Sequence, residues 1–342
     1  MMETGFGRSA HIVLRETITV LITILGLLAV TFLIARVMPV DPVLAVVGDN
    51  ARPDVYEKAR LDMGLDKPLI VQFWIYLGKL AQGDFGKSVL TSNLVLDDIK
   101  RVFPATLELA TLGTLIGIVL GIPLGVLAAT RQGRWPDHIA RFIGLFGYSI
   151  PIFWLGLMGL LLFYAKLGWV GGPGRIDVAF QDFVTPITGV LLIDCMIQGE
   201  WDAFRNVVSH LVLPSAVLGL FSTAYISRMT RSFMINELQQ HYVITARVKG
   251  LSEMRVVWGH ALRNAVVPLL TVIALSYANL LEGSVLTETV FAWPGLGRYI
   301  TNSLLNADMN AVLGGTIVVG LVFVGINLLS DMLARIFDPR AR

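Results

Sequence analysis

Six uncharged runs, each near the length of a bilayer crossing, set the terms for this chain. They cover residues 17–35, 109–130, 142–165, 206–227, 264–281 (extendable past Glu282) and 309–330, with lengths of 19, 22, 24, 22, 18 and 22 residues. A helix rises about 1.5 Å per residue, so about 20 apolar residues cross the hydrocarbon layer. Charged residues make up only 15% of the chain, against about 25% in soluble domains. The pattern predicts an all-α integral membrane protein with six transmembrane helices.

An eleventh-hour candidate, 183–193, has 11 residues between Asp182 and Asp194. It is too short to span and reads as a re-entrant or interfacial piece. The first run is longer than a signal-peptide core and ends at Arg36-Val37-Met38-Pro39 without a small-x-small site. It reads as a retained anchor. Basic residues set the orientation. Arg8 and Arg15, then Arg131, Arg134 and Arg141, then Arg228, Arg231, Arg247, Lys249, Arg255 and Arg263, then Arg335, Arg340 and Arg342 all fall on one side. Both termini are therefore expected in the cytoplasm. The loop holding Asp177, Asp182, Asp194, Glu200 and Asp202, with Arg175 and Arg205, is expected outside.

The stretch GDFGKS, 83–88, ends like a phosphate-binding loop, G-x-x-x-x-G-K-[ST]. Three features exclude that reading. The position five before Gly86 is Ala81, not glycine. Residues 68–80 read as an amphipathic helix rather than the strand a phosphate loop follows. The segment also lies in an expected external loop, away from ATP. A glycine turn after a helix on the membrane surface, with Phe73, Trp74 and Tyr76 at the interface, fits better.

No other glycine-rich nucleotide motif is present. His11, His138, His210, His241 and His260 are scattered, and the one cysteine, Cys195, excludes an internal disulfide. The spans lack the acidic or basic chains that ion-driven pumps use. Glu108, Glu282 and Asp331 sit at span edges, where a helix-end carboxylate is the plain reading. Pro123, Pro151, Pro214 and Pro268 are expected to kink their helices. Ser149, Ser276, Tyr277, Asn279 and Glu282 are candidates for lining a pathway. Hydrogen bonds between helices explain the polar spans equally well.

Residues 241–268, HYVITARVKGLSEMRVVWGHALRNAVVP, read as two short helices. Gly250 stands where a C′ glycine ends the first, and Ser252 caps the second, which runs to about Leu262. Val248, Leu251 and Val256 form an apolar stripe that needs a surface, either lipid headgroups or a partner protein. The residues alone do not choose.

This loop resembles the EAA loop of bacterial ABC-importer permeases, EAA-x3-G-x9-I-x-LP. Aligned on Gly250, Ala246 and Leu262 match as well, while Ile244, Thr245, His260 and Arg263 depart. The departures resemble the peptide branch, which reads Y-x-x-T-A-R-x-K-G-L and then H-A-L-R-N. Tyr242, Thr245, Ala246, Arg247, Lys249, Gly250, Leu251, His260, Ala261, Leu262, Arg263 and Asn264 fit it. Further resemblances run along the chain: MPVDP at Met38, GLDKP at Gly64, GDFGKS, FPATLEL at Phe103, GYSIPIFW at Gly147, PITGVLLID at Pro186, LTETVFAWPGLGR at Leu286 and the terminal FDPR. The whole is similar to the B-type membrane subunit of dipeptide and oligopeptide importers.

The resemblance implies a type I importer permease with a large external loop after helix 1 and a cytoplasmic coupling helix between helices 4 and 5. The divisions would be 1–36 (N-terminus and first span), 37–107 (external loop with amphipathic helices), 108–335 (core) and 336–342 (tail). The core would hold external loops 167–205 and 287–308 and the cytoplasmic loop 229–263. Tyr242, Thr245, Ala246, Arg247, Lys249, Gly250 and Leu251 would dock on an ATPase, with Arg247 and Lys249 pairing with its acidic groups. Trp293, Pro294, Gly295, Leu296 and Gly297 would form an external gate or binding-protein contact; a plain turn with an interfacial Trp is the simpler reading. The chain would bind no cofactor, with ATP and Mg on the partners. Those partners would be a homologous second permease, two ATPases and an external substrate-binding protein, with membrane lipid and no nucleic acid.

Other cargoes fit the same architecture: a cationic peptide, polyamine, glutathione, nickel or haem. A secondary transporter or channel predicts intramembrane charges or inverted repeats, and neither is found. A membrane enzyme lacks a catalytic constellation.

Overall fold

The computed structural model of the chain describes residues 5–37, 42–48 and 50–337. Most of the MPVDP and FDPR motifs and of the tail lie outside the described residues, as do the side chains of Arg8, Arg15, Arg335, Arg340 and Arg342. The helices, in order, are α1 (Gly5–Val37), α2 (Pro42–Val47), α3 (Pro53–Asp62), α4 (Leu69–Ala81), α5 (Val95–Thr130), α6 (Trp135–Ser149) and α7 (Ile152–Gly159). A π-helical segment, Leu160–Lys166, continues α7. Then follow α8 (Val178–Gln181), α9 (Leu191–Gln198), α10 (Trp201–Leu238) and α11 (His241–Val248). A second π-helical segment, Arg255–Ala261, leads directly into α12 (Leu262–Val290), and α13 (Leu296–Leu305) and α14 (Met309–Phe337) close the chain. Among the described residues the one β-feature is an isolated bridge between Lys87 and Leu94.

Four helices are long and apolar enough to cross a membrane: Val95–Thr130, Trp201–Leu238, Arg255–Val290 and Met309–Ser330. Trp135–Ser149 and Ile152–Lys166 make a fifth only if they count as one broken span, because they meet at 98°. The first expected run lies in α1, whose described apolar stretch is Ile18–Ile34. The expected count of six is thus not reached among the described residues.

The crossing expected at 142–165, with a kink at Pro151, is broken at that proline into two helices meeting at 98°. Pro151 has no N–H to donate back, and its ring forces Ile150 out of the helical region, to φ −94° and ψ 126°. The other three prolines behave differently. Pro123, Pro214 and Pro268, like Pro104, sit inside continuous helices. The short helix expected from Ser252 to about Leu262 is also corrected: it is the first part of the 36-residue helix Arg255–Val290.

The chain divides into two compact units, residues 1–101 with 299–324, and residues 102–298 with 325–342. In the first unit α4 follows the expected amphipathic pattern. Its Phe73 and Tyr76 rings pack on Phe32 of α1, with centroids 5.3 and 5.6 Å away. Of the three aromatics expected at the interface, Trp74 alone remains exposed.

In the second unit α10 is the central strut. Gly113, Gly117, Gly121 and Gly125, spaced four apart, put one bare face of α5 against it. A Cβ at Gly113 would come within 2.9 Å of Leu218 Cβ, and one at Gly125 within 2.6 Å of the Ser227 carbonyl oxygen. Small residues at this spacing let helix backbones approach closely, which drives association where lipid removes the hydrophobic term. At one end Asp137, fully buried at the start of α6, accepts from Arg231 Nε of α10 (2.7 Å) and from Arg141 (2.8 Å). Removing one partner of such a buried pair costs about 3–5 kcal/mol, so this network fixes α6 on α10.

At the other end Glu108 pairs with Arg175 at 2.6 Å and accepts the Leu192 amide at 3.2 Å. Asp194, also fully buried, accepts the amides of Thr188 and Gly189. The 183–193 run is therefore an irregular segment leading into the two-turn α9, too short to span as expected.

Candidate functional site

The loop between α10 and α12 is built on a helix stop. Lys249 ends α11, and Gly250 follows at φ +79°, a left-handed conformation that strains any side chain by about 1–2 kcal/mol. The Gly250 amide donates to the Arg247 carbonyl at 2.9 Å, and the Leu251 amide to the Ala246 carbonyl at 3.2 Å. This is the paired bonding of a Schellman stop. A Cβ at Gly250 would meet nothing within 4 Å, so the glycine serves the backbone turn and leaves open space beside it.

Val243 and Ala246 fasten one face of α11 into a core with Val126, Ala129, Met234 and Val256. Tyr242 donates its hydroxyl to Glu237 at 2.5 Å, tying α11 to the end of α10. Partial burial, with Glu237 beside it, pushes the Tyr242 hydroxyl up to about 12. Thr245 bonds back to the His241 carbonyl at 2.9 Å. Ile244 and Val248 on the outer face are exposed by 49% and 82%, and Met254, beyond the turn, by 71%. The expected apolar stripe is corrected here. Val248 points out, Val256 is fully buried and Leu251 is half-buried, so the three do not share a face.

Arg247 is already engaged: its Nε lies 2.8 Å from Glu253 Oε1, with a second bond at 3.2 Å. Lys249 and Gly250 are exposed. Fully burying an exposed aliphatic side chain is worth about 1.5–3 kcal/mol, whereas an exposed ion pair is worth about 0.2–1 kcal/mol. Ile244, Val248 and Met254, which sequence reasoning did not single out together, are therefore the exposed groups of this loop whose burial would release the most free energy. Beside them a cleft of about 450 Å³ opens between Arg131, Arg134, Gln239 and the Arg247–Glu253 pair.

The turn after α12 is the opposite construction. Trp293, Gly295, Leu296 and Gly297 are buried, and only Pro294 is exposed. The Trp293 indole donates to the Ala105 carbonyl at 3.0 Å, and the Arg175 guanidinium lies 5.6 Å from its ring centroid. The centre of the turn is Glu288, which is fully buried. It accepts from Thr106 Oγ1 (2.6 Å), Ser284 Oγ (3.1 Å) and the Arg298 amide (2.8 Å). A Cβ at Gly295 would collide with the Glu288 carboxylate. A Cβ at Gly297 would come within 2.7 Å of Val285. Of the five residues expected at an external gate or binding-protein contact, four form an inward wrap around a carboxylate. Glu288 was passed over because a Glu amid Thr and Val carries no periodic signal.

The pathway candidates separate. Ser276 is buried and shares a 3.0 Å hydrogen bond with Ser222, a link between α12 and α10. Tyr277 lies 3.2 Å from the Thr111 hydroxyl. Ser149, Asn279 and Glu282 are exposed.

GDFGKS proves to be a clamp. The Gly86 amide donates to Asp84 at 2.9 Å, and Ser88 Oγ donates to the buried Asp308 at 2.5 Å. Asp308 also accepts the Leu90 amide at 3.2 Å, and Asn310 donates to the Lys87 carbonyl at 2.9 Å. The groups that would cradle a phosphate are committed to the protein itself. Among the described residues no group of three or more His, Cys, Asp and Glu is placed to hold a metal ion.

Residues 121–342 match the family described as binding-protein-dependent transport system inner membrane component, and residues 10–110 match the N-terminal part of such components. The probable D,D-dipeptide transport system permease protein DdpB of Escherichia coli (strain K12) is 41% identical over 319 residues, 93% of this chain and 94% of the relative. The di/tripeptide transport system permease protein DppB of Pseudomonas aeruginosa (strain UCBPP-PA14) is 42% identical over 94% of this chain and 95% of its own. The dipeptide transport system permease protein DppB of E. coli (strain K12) is 40% identical over 96% and 98%. The chain therefore belongs to the family of binding-protein-dependent transport system inner membrane components.

Proposed function

We propose that this chain is a membrane subunit of an ATP-driven importer that moves dipeptides and short oligopeptides inward by alternating access. The observation that carries the reading is identity of 40–42% to dipeptide and di/tripeptide permeases, over more than nine-tenths of both chains. The chain itself carries no ATPase site in this reading. ATP and Mg are handled by two partner ATPases, a homologous second permease completes the pathway, and an external binding protein delivers the cargo. The protein sits in the inner membrane with both termini cytoplasmic.

The loop 229–263 is the ATPase contact. Its support is geometric: α11 has one face locked in the core, and Ile244 and Val248 stand exposed among polar residues on the rest. Ile244, Val248 and Met254 supply the contact energy, while Lys249 and the Arg247–Glu253 pair tune register. The turn 293–297 shapes the outer end of the pathway, with Pro294 as its exposed point. Asn279 and Glu282, on the uncovered side of α12, face the second permease or the cargo.

Uptake of labelled dipeptides by cells with and without this subunit tests the cargo. Uptake that survives deletion of the subunit, with no other permease present, sinks the reading. In purified complexes Gly250→Asp is expected to insert normally and to lose transport-coupled ATP hydrolysis; normal coupling there refutes the docking assignment.

A further inference from the structure

Among the described residues of the second unit, Arg131, Arg134, Arg228, Arg255, Arg263 and Arg298 have no carboxylate within ion-pair distance, and of these Arg228 lies over two aromatic rings. Arg231 and Arg141 share Asp137, while Arg175 pairs with Glu108 and Arg247 with Glu253. Among the described residues no carboxylate lies within ion-pair distance of Arg228. Its guanidinium instead rests over two rings, 4.8 Å from the Tyr148 centroid and 6.0 Å from that of Tyr225. One nitrogen reaches the Tyr148 hydroxyl at 3.5 Å.

Arg228 also lies deeper than its place at the end of an uncharged run suggests. A Cβ at Gly121 would touch Ile226 and Ser227, and one at Gly125 would touch Ser227 and Thr230. Arg228 is thus level with Gly121 to Gly125, while α5 runs on to Thr130. At 1.5 Å per residue that is about 7 Å or more inside the end of α5. The uncharged run 109–130 of α5 is the expected crossing, and a charge set back inside its end is costly against lipid and faces a water-filled space or a partner. α10 is the most enclosed of the long apolar helices, yet Arg228 itself is exposed.

The surroundings fit a binding group. Tyr148 is the penultimate residue of α6, beside the 98° break and the exposed Ser149. Broken helices at membrane depth are tolerated where they line a cavity. Two aromatic rings hold a guanidinium by its faces and leave its edge of N–H donors free. That edge is a planar fork matched to a carboxylate, which it binds bidentately. We propose that Arg228, framed by Tyr148 and Tyr225, is a station on the transport path that binds the terminal carboxylate of the cargo. The assignment rests on the peptide reading above.

The test uses the complete complex in vesicles with its binding protein saturated. Uptake of Ala-Ala is compared with that of its C-terminal amide. Arg228→Gln is expected to slow Ala-Ala at least tenfold and to leave the amide within twofold of wild type, with Arg228→Lys between. Equal slowing of both peptides, as expected of an arginine that only packs the fold or meets a lipid phosphate, overturns the assignment. So does unchanged uptake of both. Arg228→Cys, assembled first and then modified with a cationic thiol reagent, gives an arm that needs no amide. Recovery of Ala-Ala uptake with the cationic reagent and not with a neutral one supports the station; recovery with neither overturns it. A wild-type complex that imports neither peptide fails the cargo reading itself, and the assignment falls with it.

Discussion

The loop between α10 and α12 turns apolar side chains outward, and the turn between α12 and α13 turns its own inward. Ile244 and Val248 stand exposed on a helix whose other face is locked by Val243 and Ala246, and Met254 stands exposed beyond the turn. Trp293 and Leu296 are fully enclosed, and they close over Glu288. Each region has a glycine at its pivot, for different reasons. Gly250 supplies a left-handed backbone with empty space around it, whereas Gly295 and Gly297 make room for a carboxylate. A motif rich in aromatics and glycine is a surface only when nothing inside the chain needs wrapping. Here Glu288, with its donors on α5, α12 and the start of α13, needed it.

The contrast is sharpest at Trp293. Trp293→Ala removes a buried ring and the donor to Ala105, and is expected to cost about 3–5 kcal/mol. Thermal unfolding of the purified protein in detergent measures this; a loss below about 1 kcal/mol would place Trp293 with the outward-facing group after all. Val248→Asp is the mirror case. Its stability should stay within about 0.5 kcal/mol, while ATPase affinity falls by about 10- to 100-fold, the loss of one buried aliphatic group. Titration of the ATPase onto the permease reads the difference, and unchanged affinity would remove Val248 from the contact.

Tyr242→Phe is expected to destabilise α11 by about 1–2 kcal/mol through loss of the bond to Glu237. The hydroxyl is pushed up from 10.0 to about 12, so the folded state favours its protonated form. Its contribution is fully present below pH 10 and is lost as pH rises through 12. Stability of wild type and Tyr242→Phe should therefore converge above pH 10, and a constant gap would deny the linkage. The smallest effect belongs to Arg247→Ala, about 0.2–1 kcal/mol and weaker in high salt. Loss of all ATPase binding in that variant would reverse the ranking of apolar over charged groups.

Much of the architecture was legible because bilayer crossing demands long uncharged runs: all six runs lie in long or bent helices, and five of them mark the candidate spans among the described residues. The stop at Gly250 was legible too, since a C′ glycine followed by Leu251 is a local pattern. The break at Pro151 was less so. Pro123, Pro214 and Pro268 offer the same chemistry and stay inside continuous helices, because neighbouring backbones and side chains accommodate the freed carbonyls. The Ser88–Asp308 clamp joins residues 220 apart, and no local signal announces such a pair.

The sequence by itself determined that this chain is helical, that it is built for a membrane, where α11 stops and which family it joins. Those properties follow from residue periodicity, charge placement and short motifs, all readable within a few turns. Only the tertiary structure decided which motif faces out, which carboxylates are enclosed and which arginine lies over two tyrosine rings. Each depends on what another segment brings to the same point: Glu253 to Arg247, Asp137 to Arg231, and two tyrosine rings, without a carboxylate, to Arg228.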